Sequence, residues 1–193
     1  MQPRATRTTT VILVSRLVTE KGDFLCRVQN ISSGGARVNS AVPLRPGQKI
    51  SIELKNGQTL AGEVKWSDFP CSGVQFDAPI DVEAVLSPLN RRTKRRTWAA
   101  RAPRFSAASV VLVREGGRNR PGIMLNVSQT GAKLKLSGGL PIGCQLMLTI
   151  PGLPQLRAAV RWSEEDEAGV SLLDPLSYDE LSLWLRDSPV RYS

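Results

Sequence analysis

NISSGGARV (Asn30–Val38) and NVSQTGAKL (Asn126–Leu134) are two versions of one nonapeptide, 96 residues apart in a chain of 193. Outward from them the offset repeats: EVKWS at 63–67 answers AVRWS at 159–163, Gly47 answers Gly143, and Gly73-Val74 answers Gly169-Val170. Blocks in one order at one spacing mark a tandem duplication of a small domain. At the front, VILV at 11–14 answers VVLV at 110–113 with an offset of 99, which predicts a three-residue length change in the first loop. Each copy reads as six short strands, β-branched and separated by Gly, Pro, Asn and Asp. Asn56-Gly57 is the signal of a two-residue hairpin. Closure is the usual way to remove the edges of such a sheet. The expected fold is therefore all-β: two tandem six-stranded antiparallel barrels, each followed by a short helix. The helical stretches are LSYDELSLWLRD at 176–187 and PIDVEAVLSPLN at 79–90, the latter cut short by Pro88.

The charge is not spread evenly. The chain carries 26 Lys and Arg against 17 Asp and Glu, a net of +9. Residues 1–90 hold +2, residues 105–193 hold 0, and RRTKRRTWAARAPR from Arg91 to Arg104 holds +7. This divides the chain into a first barrel over 1–90, a basic linker over 91–104 and a second barrel with its helix over 105–193. A solvated linker is the plain reading of such a run. With no histidine, a Ser-His-Asp centre and a His-ligated metal are excluded. Cys26, Cys71 and Cys144 do not correspond between the copies, which argues for reduced thiols in a cytoplasmic protein rather than a metal or redox site. No apolar run is long enough to span a membrane. Glu164-Glu165-Asp166-Glu167 reads as a solvated hairpin tip, and no catalytic residue, metal or cofactor is expected.

In each half a strand ends in Asn-x-Ser-x-x-Gly, as Asn30, Ser32 and Gly35 and again as Asn126, Ser128 and Gly131. A pair of arginines precedes each first strand, Arg4 with Arg7 and Arg101 with Arg104. Arginines, then this turn about 22 residues later, then a strand ending in Val-Lys/Arg-Trp and a Gly-Val strand, together resemble the PilZ domain, once per half. The resemblance implies a six-stranded barrel with a C-terminal helix and, for many members, binding of the bacterial second messenger cyclic di-GMP between an Arg-x-x-x-Arg segment and the turn. It implies as ligand contacts Arg91, Arg92, Arg95, Arg96, Arg101, Arg104, Asn126, Ser128 and Gly131 in the second half, and a degenerate site of Arg4, Arg7, Asn30, Ser32 and Gly35 in the first. Both halves depart from the pattern with Arg-x-x-Arg, RATR and RAPR; the full spacing occurs as Arg91 with Arg95 and Arg92 with Arg96, about 30 residues before Asn126.

The residue types suit such a ligand. Guanidinium groups bind guanine O6 and N7 bidentately, stack on the base and pair with phosphate. Asn offers both a donor and an acceptor, and Ser adds either. The closing Gly is expected to supply positive φ and room for the base. Trp66 and Trp162 are expected to pack at the core or rim, Trp184 on the apolar side of the last helix, and Trp98 either to anchor the linker or to stack on a base.

Three functions compete on these residues. The first is a receptor coupling cyclic di-GMP at the linker and second barrel to domain orientation and to a protein partner of a motility or polysaccharide system. The second is a degenerate adaptor working through protein contacts without nucleotide. The third, a nucleic-acid clamp, is disfavoured because neutral barrels with few surface aromatics offer no stacking platform.

Overall fold

The computed structural model describes residues 9–86 and 102–187, and the chain falls into two compact units, 1–103 and 104–193. In the first, β1 (Thr9–Thr19), β2 (Gly22–Ser32), β3 (Gly35–Ser40), β4 (Lys49–Glu53), β5 (Thr59–Asp68) and β6 (Cys71–Phe76) precede α1 (Val82–Leu86). In the second, β7 (Phe105–Glu115), β8 (Arg118–Ser128), β9 (Gly131–Lys135), β10 (Gln145–Thr149), β11 (Leu156–Glu164) and β12 (Glu167–Leu172) precede α2 (Tyr178–Asp187). Each set closes into an antiparallel barrel, in the order β1-β2-β3-β6-β5-β4 and β7-β8-β9-β12-β11-β10. Closure gives each strand a partner on both sides, the closing ladders being short, Arg16–Val18 of β1 on β4 and Leu112–Arg114 of β7 on β10. Period-two alternation fixes which side chains fill each barrel: in β4, Ile50 and Ile52 are buried between Lys49, Ser51 and Glu53.

The register corrects the expected length change in the first loop. Leu17 faces Phe24 on β2 and Ile52 on β4, while Val113 faces Arg120 on β8 and Leu148 on β10. All three pairs stand 96 apart, so the copies correspond without insertion. The match of VILV to VVLV at 99 aligned apolar letters, whereas the fold aligns inward positions, Ser15 and Leu17 with Val111 and Val113, all four buried. At this constant offset Arg104 corresponds to Thr8 and Arg7 to Pro103, so RATR and RAPR are one residue out of step.

The Asn56-Gly57 hairpin is also corrected. The Leu54 amide donates to the Gln58 carbonyl at 2.8 Å, leaving a three-residue loop in which Gly57 alone takes positive φ (86°). That is the loop with a glycine bulge rather than the two-residue turn.

The helices start on side-chain caps. Asp81 Oδ1 accepts from the Glu83 and Ala84 amides at 3.0 and 3.1 Å. Ser177 and Glu180 form a reciprocal box, the Glu180 amide on Ser177 Oγ at 3.2 Å and the Ser177 amide on Glu180 Oε2 at 2.8 Å. The carboxylate at the start of α2 also sits favourably on the helix dipole. Leu181, Trp184 and Leu185 of α2 are buried, and Trp184 Nε1 donates to the Pro151 carbonyl at 2.9 Å. None of the described helices is long and apolar enough to cross a membrane.

Candidate functional site

In the second barrel the two halves of the motif meet. Arg104 lies one residue before β7, and Asn126 lies near the end of β8, which pairs with β7 through Phe105↔Val127 and Ser106↔Asn126. Strand pairing therefore places Arg104 beside Asn126 although 22 residues separate them, and Arg104 Nη1 donates to Asn126 Oδ1 at 2.8 Å. Arg104 is exposed and Asn126 half-buried.

Pairing continues outward from Asn126 in one row around the barrel: Asn126↔Lys133, Lys133↔Gly169, Gly169↔Trp162. The neighbouring inward row, Val127, Ala132, Val170 and Val160, is buried. Lys133 Nζ pairs with Glu167 Oε2 at 2.7 Å. Trp162 lies over Gly169, where an added Cβ would fall inside the indole ring. The missing side chain is thus filled by the indole, which remains 37% exposed. Trp66 repeats this over Gly73 at 46% exposed, with Arg37 as the next member of the row. Both tryptophans were expected at the core or rim. They instead lie on the outer surface, and the recurrence of Gly-Val opposite Val-x-Trp in both copies was the available signal.

The serines and glycines have structural work. Ser128 is 1% exposed, its Oγ donating to the Gly131 carbonyl at 3.1 Å and accepting from the Thr130 amide at 3.4 Å. Ser32 Oγ donates to the Gly35 carbonyl at 3.2 Å. Positive φ is not what Gly35 or Gly131 supplies, since neither adopts it. A Cβ at Gly131 would lie 2.5 Å from the Val170 carbonyl oxygen, and one at Gly35 would strike that of Val74. Glycine is required there by strand spacing, which corrects the expectation of open room for a base.

The first barrel's turn is built differently. The β2–β3 ladder slips between Gln29 and Ile31, so Asn30 is the unpaired bulge residue, at φ 48°. In β8 the slip falls one residue earlier, between Met124 and Asn126, and Asn126 stays in the ladder. Asparagine tolerates this left-handed conformation better than most residues. Arg37, in the row of Gly73 and Trp66, directs Nη2 to Cys71 Sγ at 3.1 Å. Arg4, Arg7, Arg91, Arg92, Arg95, Arg96, Arg101 and Trp98 lie outside the described residues.

A groove of about 650 Å³ opens elsewhere on the second barrel, between Ala107–Val110 of β7, the Pro151–Pro154 loop and Leu183 and Trp184 of α2. It shares no residue with the turn. The acidic tip is a tight turn, not merely a solvated one: Glu165 takes φ 51° and Asp166 Oδ1 accepts from the Gly138 amide at 3.2 Å.

Two six-stranded barrels that carry the same Asn-x-Ser-x-x-Gly motif agree with comparison to known families, where the model described as the PilZ domain matches residues 2–93 and again 90–185. The chain belongs to the PilZ domain family. Solved structures similar to this tandem PilZ chain include the PlzA protein of Borreliella burgdorferi in complex with c-di-GMP, 9% identical over 89% of this chain and 86% of that one, TM-score 0.38. Others are the inhibitor of motility MotI/DgrA of Bacillus subtilis, 16% identical over 91% and 96%, TM-score 0.38, and YcgR of Escherichia coli in complex with c-di-GMP, 13% identical over 90% and 82%, TM-score 0.37. No curated protein matches the chain in sequence.

Proposed function

We propose that this tandem PilZ protein is a cyclic di-GMP receptor whose site lies on the second barrel. The observation that carries the reading is the Arg104–Asn126 hydrogen bond, which joins the arginine segment to the turn in that barrel. The outward row then adds Lys133, which pairs with Glu167, and the exposed indole of Trp162. Cations serve the phosphates and the indole face serves base stacking. Arg91, Arg92, Arg95, Arg96 and Arg101 supply further positive charge immediately before Arg104 in the chain. Ser128 and Gly131 hold the turn's shape. The first barrel is the non-binding partner, because Asn30 is displaced into a bulge and the sequence has Thr8, not an arginine, 96 residues before Arg104. The output is regulation of a protein of a motility or polysaccharide system.

Calorimetric titration of the full chain with cyclic di-GMP tests this. Binding is expected in the wild type and in Asn30→Ala, and loss of at least tenfold in Arg104→Ala and Asn126→Ala. Absence of heat in the wild type overturns the receptor reading.

A second reading, an adaptor working through protein contacts alone, is favoured by one patch. Val110, Leu112 and Ile123 are 67%, 41% and 46% exposed on the outside of β7 and β8, and Val110 directly faces Ile123 across the ladder. A partner captured equally with and without cyclic di-GMP, and lost in Val110→Asp/Ile123→Asp, would favour it.

A further inference from the structure

We infer that the second barrel docks an extended peptide of a partner protein, taken as an added strand on the edge of β7 beside α2, the peptide alternating apolar residues and carrying Lys or Arg at one end. The inference stands whether or not the chain binds cyclic di-GMP.

The site begins where the barrel closes. β10 pairs with β7 from Thr149↔Leu112 to Met147↔Arg114. The earlier part of β7 has β8 on one side and, among the described residues, no ladder on the other. The chain leaving β10 does not extend that ladder. It turns at once, the Leu153 amide donating to the Ile150 carbonyl at 3.1 Å, and it carries Pro151 and Pro154, which have no N–H to give. Trp184 Nε1 then ties the Pro151 carbonyl to α2 at 2.9 Å, and a Cβ on Gly152 would meet the same indole at 3.2 Å. The loop is therefore fastened to the helix rather than to β7, and the groove of about 650 Å³ is the space between them. The β7–β8 register slips between Ser106 and Ser109, so the regular part of the free edge is Ser109–Val111. A strand laid there continues the line of β10 over a length equal to the ladder that β10 itself makes.

The walls name the occupant. A free edge offers N–H and C=O groups that an extended peptide satisfies, whereas a helix has its backbone already paired within itself. Alternate side chains of an added strand point to opposite faces. One set meets Leu183, 46% exposed beside the buried Trp184, and the other lies next to the exposed Val110. Ala107, Ala108 and Ser109 are small, which leaves the groove to side chains brought by the partner. On α2 the residues facing the groove are spaced i, i+3, i+4 and i+7, from Glu180 to Asp187. Asp187 is matched by its neighbour Arg186 at 2.7 Å. Glu180 has no ion pair among the described residues. Its carboxylate accepts from the Ser177 amide at 2.8 Å, a neutral donor that leaves the charge unmatched. The cation of the partner belongs at that end.

Short phage-displayed peptides selected on the full chain, with Leu183→Asp as a parallel bait, test this. Sequences enriched on the wild type alone are expected to alternate apolar residues and to end in Lys or Arg. The most enriched, made as a synthetic peptide, is expected to bind Leu183→Asp roughly tenfold or more weakly. Glu180→Gln keeps an oxygen for the helix cap and loses the charge, and is expected to weaken binding roughly three- to tenfold. Methylating every second backbone nitrogen of the peptide blocks strand pairing and leaves its side chains untouched; one of the two methylation patterns is expected to abolish binding. Amide exchange followed by NMR is expected to slow at one or more of Ser109, Val110 and Val111 in the complex. Ile142→Asp, at an exposed position outside the groove, is expected to bind as the wild type does. Enrichment that does not depend on Leu183, apolar residues enriched at helical spacing, full binding by both methylated peptides, or unchanged exchange at Ser109–Val111 each overturns the inference. Tighter binding in Val190→Asp/Tyr192→Asp would make the chain's own C-terminal residues the occupant, and a dimer in sedimentation that Leu183→Asp dissociates would make it a second copy. Either result overturns the assignment to a partner.

Discussion

Replacing Ser128 by alanine separates the two roles a motif serine can have. In the second barrel its hydroxyl is 1% exposed and bridges the turn, donating to the Gly131 carbonyl at 3.1 Å and accepting from the Thr130 amide at 3.4 Å. Alanine removes the hydroxyl from a place water does not reach. The expected cost is about 1–2 kcal/mol, a lost hydrogen bond with a polar group left poorly satisfied. For a domain of this size 1 kcal/mol shifts the midpoint by roughly 4–8 °C. The first barrel provides an internal control. Ser32 makes the matching bond at 3.2 Å but is only half-buried, so water can replace it and Ser32→Ala is expected to cost about 0.5 kcal/mol. Differential scanning calorimetry of the two variants would show Ser128→Ala the more destabilised, and titration with cyclic di-GMP would show only a modest loss of affinity. A Ser128→Ala protein as stable as wild type that has lost cyclic di-GMP affinity tenfold or more would refute the assignment of this serine to the turn.

Other substitutions and conditions follow from the same geometry. Gly169→Ala would drive Trp162 off its strand, because a Cβ there occupies the indole's place; a red-shifted tryptophan emission and a destabilisation of about 1–3 kcal/mol are expected, and unchanged emission would contradict the packing. Cys26 is fully buried and burial pushes its thiol up to about 12, so a thiol reagent at pH 8 should leave it unmodified in the native chain and react only on unfolding. Rapid native labelling of Cys26, resolved by peptide mapping, would contradict this. The hydrogen bond from Arg157 holds the Asp174 carboxyl below its ordinary range, and the bond with Ser177 does the same for Glu180. A carboxylate with a lowered folded pKa contributes stability above its unfolded value, and that contribution is lost as pH falls through the folded value. Thermal stability of the second barrel should therefore drop below about pH 4, and less steeply in Asp174→Asn; an identical slope in that variant would show the pair to be inert.

Much of this was legible in the residues because alternation and turn chemistry are local. The six strands of each barrel follow from β-branched runs between Gly, Pro and Asn, and the apolar positions of LSYDELSLWLRD at 176–187 mark α2. Register was less legible. VILV and VVLV share letters, but only cross-strand partners show that Leu17 corresponds to Val113. The difference between Asn30 and Asn126 was hidden for the same reason: two identical motif letters differ by one residue in where the ladder slips. The exposed tryptophans were missed because apolarity suggests burial, whereas a glycine on the next strand makes a seat for an indole on the outside. The role of Gly131 was misread because its constraint comes from Val170, 39 residues away, and not from its own backbone angles.

The central claim, a cyclic di-GMP site on the second barrel and not on the first, is most directly tested by isothermal titration of the full chain alongside Asn126→Ala and Asn30→Ala. The account predicts saturable heat that survives in Asn30→Ala with unchanged stoichiometry and disappears in Asn126→Ala. Heat abolished by Asn30→Ala and retained in Asn126→Ala, or no heat from the wild type, would contradict it.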